Sequence, residues 1–234
     1  MKPLTARIAE IFCSVQGEGL YCGQKQVFLR FSGCNLACRY CDEPAAGKNG
    51  AAAVLTCAEA AAAVTGLAGK NRAAAVSFTG GEPLLNWKFI LALAPVLNKA
   101  GLAVHLETNG TLYRELEKVK DVVAVIAADI KLPSSTGEKA FWAEHARFLA
   151  AAPEKSFLKI VLTSKTSLAD VKKAVALAAG VSRGIPFFLQ PATARRGGIK
   201  PPGGAFLEEA CCWAAARLTR VKILPQQHPI WGVK

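Results

Sequence analysis

The segment Cys34-Asn35-Leu36-Ala37-Cys38-Arg39-Tyr40-Cys41 places three cysteines within eight residues, with C-x3-C-x2-C spacing. Three thiolates this close together can surround one compact inorganic group, and their softness suits an iron–sulfur cluster or zinc. A 4Fe–4S cube held by three cysteines leaves one iron open to a further ligand, as a catalytic metal site requires. The spacing therefore predicts a 4Fe–4S cluster on Cys34, Cys38 and Cys41.

The remaining cysteines do not complete a structural zinc site. Such a site takes four ligands, commonly as two separated pairs. Cys57 stands alone, and Cys211 and Cys212 are adjacent, so no second pair with the usual spacing follows the loop. Zinc, a redox-active thiol pair and buried, packed cysteines are the alternatives to the cluster.

A second motif, Thr79-Gly80-Gly81-Glu82-Pro83, lies at the end of a predicted strand. Glycines let a ligand approach the backbone closely, and the Glu82 carboxylate can accept hydrogen bonds from an ammonium group. Alone, the motif also fits a strand–turn–helix junction with Pro83 in the first helical turn. Its position downstream of the cysteine loop favours ligand binding.

Apolar, β-branched segments alternate with Ala- and Leu-rich segments along the chain. This pattern predicts an α/β fold with a mostly parallel sheet covered by helices. The predicted strands are Gln26–Phe31, Ala75–Thr79, Leu102–Glu107, Val122–Ile126, Phe157–Leu162, Ile185–Leu189 and Val221–Leu224. The predicted helices are Cys57–Leu67, Asn86–Lys99, Glu138–Ala151, Ser167–Ala179 and Ala205–Thr219. Val54–Val64 is apolar enough for either structure and is interpreted as helix.

Polar or glycine-containing turns follow several predicted strands. Each could be only a turn, but ligands of parallel β/α folds bind at the carboxyl ends of strands. We therefore expect these turns to converge on one site. They are Thr79–Glu82, Glu107–Gly110, Asp129–Lys131, Thr163–Ser164 and Gln190–Pro191.

Length and composition favour one globular domain over residues 1–234, with a net charge of +12. The basic residues are scattered, with Lys172–Lys173 and Arg195–Arg196 as the nearest clusters, so we expect no direct nucleic-acid binding. The segment Met1–Phe12 lacks the apolar core of a signal peptide, and charges interrupt the Ala-rich stretches. We expect a cytoplasmic location without membrane contact.

The cysteine spacing, with aromatic Tyr40 before the last cysteine, resembles the radical S-adenosylmethionine (SAM) superfamily, as does the Gly-Gly-Glu-Pro segment. The surrounding residues resemble one of its families, the 7-carboxy-7-deazaguanine synthases, over most of the chain. Gln16-Gly17-Glu18-Gly19 is the most discriminating segment, because it is not a general superfamily feature. The other similar segments are Glu10–Phe12, Phe28–Leu36, Cys41-Asp42, Thr79–Leu84, Glu107–Thr111, Gln190-Pro191 and Leu224–His228.

This resemblance implies a modified, incomplete (β/α) barrel, a homodimer, and three cofactors: a 4Fe–4S cluster, SAM and Mg²⁺. The implied activity is that of a carbon–nitrogen lyase of queuosine and deazapurine biosynthesis, which serves tRNA modification. It converts 6-carboxy-5,6,7,8-tetrahydropterin to 7-carboxy-7-deazaguanine. A reductase such as flavodoxin or ferredoxin would supply the electron that cleaves SAM, and the resulting radical takes hydrogen from the pterin C6 before the ring contracts and ammonia leaves.

The resemblance also implies roles for individual residues. Arg30 would bind the substrate carboxylate, where its planar fork allows a bidentate contact, and Val15, Gln16 and Gly17 would contact the pterin edge. Thr79, Glu107 and Asn109 are further candidates for substrate contact. The candidates for the SAM site are Tyr40, Gly80, Gly81, Glu82, Asp129, Ile130, Lys131 and Gln190. From the residues alone, Arg30 and Lys131 also fit surface charges, and Gln16-Gly17 fits a simple turn.

The sequence departs from the family at three places. The family usually has Thr directly after the Cys-Asp pair, where it reaches the magnesium, and this chain has Glu43. A carboxylate is also a hard oxygen ligand, so we expect Glu43 to contribute to a Mg²⁺ site. Asp129-Ile130-Lys131 stands where Ser-Pro-Lys is usual, and Pro229 stands where Lys is common.

Two other functions share part of this pattern. An activase that installs a glycyl radical on a partner protein would need the cluster and the Gly-Gly-Glu-Pro segment, but not Gln16–Gly19 or Arg30. An iron–sulfur or zinc module without enzymatic activity would bind SAM without cleaving it. Cleavage of SAM and a requirement for a large protein substrate distinguish these functions from the synthase.

Overall fold

One nine-stranded sheet organises the residues that the computed structural model describes, which are 3–43, 52–194 and 198–233. The strands are β1 (Thr5–Val15), β2 (Lys25–Phe31), β3 (Ala53–Thr56), β4 (Ala75–Gly80), β5 (Ala103–Thr108), β6 (Val125–Asp129), β7 (Ser156–Leu162), β8 (Phe187–Pro191) and β9 (Val221–Ile223). Their order is β3-β1-β2-β4-β5-β6-β7-β8-β9. Every pairing from β2 to β9 is parallel, whereas β1 runs antiparallel to both of its neighbours. Since β3 and β9 are separate edges, the barrel is incomplete, and the predicted fold class is confirmed.

Helices connect the parallel strands and cover one face of the sheet. They are α1 (Cys57–Asn71), α2 (Trp87–Lys99), α3 (Tyr113–Val119), α4 (Pro133–Thr136), α5 (Trp142–Ala151), α6 (Leu168–Val181), α7 (Gly204–Ala215) and α8 (His228–Trp231). Short 3-10 segments occur at Gly19–Tyr21, Pro83–Asn86 and Pro153–Lys155. The start of α1 shows why such a boundary is sharp: Thr56 and Glu59 exchange hydrogen bonds between side chain and backbone and form a capping box.

The two faces of the sheet carry different residues because side chains alternate along a strand. In β7, Leu158, Ile160 and Leu162 join the main apolar core against the helices. Phe157 and Lys159 point to the opposite, concave face. Each central strand repeats this alternation, so the concave face receives polar side chains at strand ends while the helices bury the other face.

The sequence predicted the central strands and the edge strand β9, but not the edge strand β3. The helical interpretation of Val54–Val64 is wrong at its start, because Ala53–Thr56 pairs with β1 as an edge strand and the helix begins at Cys57. The fourth predicted strand begins at Val125 instead of Val122. The helix predicted from Glu138 begins at Trp142, and that predicted to Thr219 ends at Ala215. β1, α3, α4 and α8 were not predicted.

Two further expectations concern the basic clusters and the absence of membrane contact. Arg195 and Arg196, one of the two basic clusters, lie outside the described residues. Within the described ranges, no helix combines the length and the apolar character needed to cross a bilayer.

Candidate active site

A cavity of about 800 Å³ opens at the carboxyl ends of the parallel strands. It collects most of the site residues predicted from the sequence. Those that line it are Val15, Gln16, Gly17, Arg30, Cys34, Cys38, Tyr40, Cys41, Glu43, Thr79, Gly80, Gly81, Glu107, Asn109, Asp129, Lys131 and Gln190. Glu82 and Ile130 are completely buried and are not part of its wall.

Gly80 and Gly81 bring the end of β4 against the cysteine loop. Gly80 has φ +127°, and a Cβ there would lie 2.2 Å from the carbonyl oxygen of Phe31. A Cβ on Gly81 would lie 2.0 Å from the carbonyl oxygen of Gly33. Only glycine fits two such approaches, so these positions fix the distance between the strand end and the loop.

Glu82 organises the turn beneath this contact. Its carboxylate accepts hydrogen bonds from the Leu84 N–H at 3.0 Å, the Thr108 hydroxyl at 2.8 Å and the Asn109 N–H at 2.8 Å. Burial raises the pKa of Glu82 to about 6, although these hydrogen bonds act in the opposite direction. The motif's carboxylate thus joins the ends of β4 and β5 and does not face the cavity.

Glu107 is the centre of a polar group on the cavity wall. It accepts hydrogen bonds from Gln16 Nε2 at 2.7 Å, the Ser77 hydroxyl at 2.7 Å and the Thr79 hydroxyl at 2.9 Å. The alternation of side chains on β4 and β5 places Ser77, Thr79 and Glu107 on the same face. The resulting group presents fixed acceptors and amide donors, which suit a polar heterocycle.

Arg30 lies on the same face of β2 as Phe28. Its Nε donates to Glu10 Oε1 at 3.0 Å, and its Nη2 lies 3.5 Å from Glu43 Oε1. The guanidinium carbon lies 5.6 Å from the centre of the Phe12 ring. Arg30 is therefore held in one orientation, with two carboxylates beside it.

A row of alternating charges crosses the floor of the cavity. Lys131 Nζ lies 2.8 Å from Asp129 Oδ2 and 3.2 Å from the Tyr40 hydroxyl. Lys159 Nζ lies 3.8 Å from the same Asp129 oxygen and forms a short contact with Glu18. Burial alone would lower the pKa of Lys131, but Asp129 and Tyr40 hold it well above its usual range. Both lysines are therefore charged at neutral pH.

The row also contains a buried oxygen that the described residues leave unpaired. Asp129 Oδ1 has no hydrogen-bond partner there, whereas Oδ2 contacts both lysines. A buried acceptor without a partner is costly. This oxygen fits a donor group on a bound ligand.

The segment after β9 covers one side of the cavity. Gln226 Nε2 donates to Glu18 Oε1 and to Asp42 Oδ2, both at 2.8 Å, and its Oε1 accepts from the Thr193 hydroxyl at 2.7 Å. The Gln227 N–H donates to the carbonyl oxygen of Gly17 at 2.9 Å. The segment thus closes over Gly17, where a Cβ would meet the His228 backbone nitrogen at 2.7 Å.

Residues 29–181 match the radical SAM superfamily. The chain is 38% identical to a 7-carboxy-7-deazaguanine synthase from Geobacter sulfurreducens, and the alignment covers 97% of each protein. The chain belongs to the 7-carboxy-7-deazaguanine synthase family. A synthase from Methanopyrus kandleri is 31% identical, with 95% of this chain and 92% of the relative covered.

Solved structures agree with this family's fold. QueE from Escherichia coli superposes with a TM-score of 0.63 at 20% identity, and the match covers 94% of this chain and 93% of QueE. A radical SAM methyltransferase from Sphaerobacter thermophilus gives the same TM-score at 18% identity, covering 87% of this chain and 70% of that protein. These structures show the fold alone. Membership of the synthase family makes the chain a radical SAM lyase, and that family carries a 4Fe–4S cluster and SAM.

The synthase family's cluster fits the cysteine loop of this chain. All three cysteines line the cavity, and burial is the main cause that raises the pKa of Cys38 to about 11. The Leu36 N–H donates to Cys34 Sγ at 3.4 Å. Across the described ranges, no three His, Cys, Asp or Glu side chains surround a single point as ligands of one metal ion. A cube does not need such convergence, because each thiolate binds its own iron.

Sequence reasoning missed several residues of this synthase site. Lys159 had a signal, because period-two alternation within the predicted strand Phe157–Leu162 places it on the face opposite Leu158 and Ile160. Glu18 lay inside a quoted motif without an assigned role. Gln226 lay in a similar tail segment, but its bonds to Glu18 and Asp42 depend on tertiary contacts.

Proposed function

We propose that this chain converts 6-carboxy-5,6,7,8-tetrahydropterin to 7-carboxy-7-deazaguanine with loss of ammonia. The observation that carries the proposal is one cavity that joins the cysteine loop, an arginine and a hydrogen-bonded amide–carboxylate group. When bound, the cluster and SAM supply the electron and the 5′-deoxyadenosyl radical that removes a substrate hydrogen. The protein's own residues bind, orient and enclose the reactants.

SAM binds beside the cysteine loop in this proposal. Gly80 and Gly81 keep the end of β4 against the cysteine loop, the methionyl group binds beside this contact, and Glu82 holds the turn in place. Asp129 Oδ1 accepts a hydrogen bond from the ligand, because that oxygen otherwise has no partner among the described residues. The other proposed contacts are Tyr40, Ile130, Lys131 and Gln190, with Ile130 contributing through its backbone.

The pterin binds on the other side of the cavity. Gln16 and Glu107 form a paired donor and acceptor at 2.7 Å that can exchange hydrogen bonds with the heterocycle edge. Arg30 binds the carboxylate that distinguishes this substrate from a simple pterin. Val15, Gly17, Thr79 and Asn109 complete the proposed contacts.

Glu43 supplies an oxygen ligand to Mg²⁺ in this proposal. Its side chain is 42% exposed and lies at the cavity edge two residues after Cys41, so it can reach a hydrated cation. Activity measured against Mg²⁺ concentration tests this role in Glu43→Thr and Glu43→Ala. We expect Glu43→Ala to require more Mg²⁺ than Glu43→Thr, and indifference of both variants would remove Glu43 from the site.

The proposal includes a cellular context. The chain acts as a single domain over residues 1–234, as a homodimer in the cytoplasm. It receives electrons from flavodoxin or ferredoxin, and its product feeds queuosine or another deazapurine. Size-exclusion chromatography with light scattering tests the dimer, and reduction by each purified donor tests the electron source.

Product analysis under strict anaerobiosis tests the reaction itself. Cluster-reconstituted protein receives dithionite, SAM, Mg²⁺ and 6-carboxytetrahydropterin, and mass spectrometry follows the products. We expect 5′-deoxyadenosine together with 7-carboxy-7-deazaguanine. SAM cleavage without the deazaguanine would reject this substrate, and a large protein requirement would favour an activase. Absence of cleavage by the fully loaded protein would favour a binding module.

A further inference from the structure

Arg30 contacts two carboxylates, one closely and the other at a longer distance. Glu10 lies opposite Arg30 in the register of β1 and β2 and accepts from Nε at 3.0 Å. The Arg30 side chain is only 13% exposed and packs near the Phe12 ring. These contacts fix the guanidinium and leave Nη2 directed toward the cavity edge.

Glu43 occupies that remaining side of the guanidinium. Its Oε1 lies 3.5 Å from Nη2, and its side chain is 42% exposed. An ion pair this long and this exposed is worth little and separates easily. The two contacts of Arg30 are therefore unequal, and only the one to Glu43 lies where a ligand could replace it.

We propose that Glu43 acts as an internal substitute for the substrate carboxylate on Arg30 and thereby determines how strongly this site selects a carboxylated pterin. The inference rests on the proposed function. Glu10 and Glu43 place two negative charges around the single positive charge of Arg30. This excess of negative charge repels an incoming carboxylate. The substrate's carboxylate binds only when Glu43 leaves.

Replacement of Glu43 by the substrate carboxylate on Arg30 couples substrate binding to the binding of a divalent cation. Once Glu43 leaves Arg30, its oxygens are available as hard ligands, and a cation that binds them holds Glu43 away from the guanidinium. Carboxylate and Mg²⁺ then favour each other's binding by the same factor. A threonine at this position could not compete for Arg30 by charge, so this competition depends on the Glu43 carboxylate itself.

Binding, measured apart from turnover, tests the inference. Anaerobic calorimetry on cluster-loaded protein compares 6-carboxypterin, an oxidised analogue, with pterin itself, which lacks the carboxylate. Glu43→Gln keeps the side-chain size and removes the charge, and Glu208→Gln makes the same change at an exposed position on α7. Without divalent metal, Glu43→Gln should bind 6-carboxypterin about two- to fivefold more tightly than wild type. This is the gain expected when the ligand no longer has to displace a half-exposed ion pair. Pterin affinity should not change.

The Mg²⁺ arm has its own expected result. Mg²⁺ should increase the affinity of wild type and Glu208→Gln for 6-carboxypterin more than it does for Glu43→Gln. The inference is overturned if, without metal, Glu43→Gln binds 6-carboxypterin no more tightly than wild type does. It is also overturned if Mg²⁺ increases the affinity of wild type and of Glu43→Gln by the same factor. If wild type binds pterin and 6-carboxypterin equally poorly with and without Mg²⁺, the proposed substrate itself is wrong and the inference falls with it.

Discussion

The side-chain nitrogen of Gln226 lies 2.8 Å from Asp42 Oδ2 and so joins the segment after β9 to the residue that directly follows Cys41. The same nitrogen donates to Glu18 Oε1, and the amide oxygen accepts from Thr193. These four side chains come from four different loops around the cavity. One buried amide therefore ties the cavity rim to the cysteine loop.

Replacing Gln226 should loosen this rim. Gln226→Ala leaves two carboxylates without their shared donor, which should lower the free energy of unfolding by about 1–3 kcal/mol. Because the rim no longer holds the substrate in place, more 5′-deoxyadenosine should form per molecule of product. Gln227→Ala is the control, since within the described part of the chain that side chain bonds the nearby Pro225 carbonyl alone. Wild-type stability and a wild-type product ratio in Gln226→Ala would contradict this account.

Gly81→Ala should prevent normal cluster loading. Its Cβ would overlap the Gly33 carbonyl and push the start of the cysteine loop away. Iron and sulfide content after reconstitution should fall well below that of wild type. Gly66→Ala is the matched control, because the site is helical and, among the described residues, nothing beyond its own helix backbone lies within 4 Å of a Cβ there. That control should gain about 0.5–1 kcal/mol in the free energy of unfolding and load normally. Full iron content in Gly81→Ala would show that the loop can move without loss.

Glu107→Gln should separate SAM cleavage from product formation. The new amide group faces donors from Gln16, Ser77 and Thr79 and cannot accept all three bonds. Loss of a hydrogen bond to a charged group costs about 1.5–3 kcal/mol, so product formation should fall at least about tenfold. SAM affinity should stay near that of wild type. Ser77→Ala removes one donor and should have a smaller effect. An equal loss of SAM binding in Glu107→Gln would place Glu107 at the other ligand.

Acid should weaken the contact between Glu18 and Lys159. Burial, the largest single cause, would raise the pKa of Glu18, but Lys159, Gln226 and His228 together lower it to about 2. A lowered folded-state pKa stabilises the protein above the ordinary value of 4.5, and this stability is lost as the pH falls from there toward 2. The loss amounts to at most about 3.4 kcal/mol, at 1.36 kcal/mol per pKa unit.

Urea unfolding of the cluster-free chain between pH 7 and pH 3 measures this effect. Glu18→Gln should be less stable than wild type at pH 7, and the difference should shrink as the pH falls below 4.5. Glu208→Gln controls for the removed charge at an exposed site. A difference between Glu18→Gln and wild type that stays constant with pH would mean that the pairing contributes no pH-dependent stability.

The sequence allowed prediction where short-range patterns carry the information. The apolar runs of the parallel strands are local and predicted the sheet, and the cysteines of the local segment Cys34–Cys41 line the cavity at its strand ends. β1 was missed because only Ala6 and Ile8 are buried along it, so its apolar pattern is weak. β3 was missed because an edge strand of four residues directly precedes a helix that is rich in similar residues.

The charged floor of the cavity was beyond local reasoning. Glu18 and Lys159 lie 141 positions apart, and their contact depends on how the sheet brings β7 to the loop after β1. Glu82 shows a different limit of sequence reasoning. Its motif was recognised, but its side chain, expected to contact a ligand, instead joins the ends of β4 and β5. A motif predicts which residues cluster, whereas the direction of each side chain depends on packing.

The contact between Gln226 and Asp42 spans 184 positions of the chain, and this has a consequence for biosynthesis. A ribosome adds roughly 5–20 residues per second, so the cysteine loop waits on the order of 10–40 s before the segment that closes over it has been made. During that interval the three thiols are open to oxygen, to stray metal ions and to the machinery that delivers iron and sulfide. The order of synthesis thus gives cluster insertion a period in which the segment after β9 does not yet cover this side of the cavity.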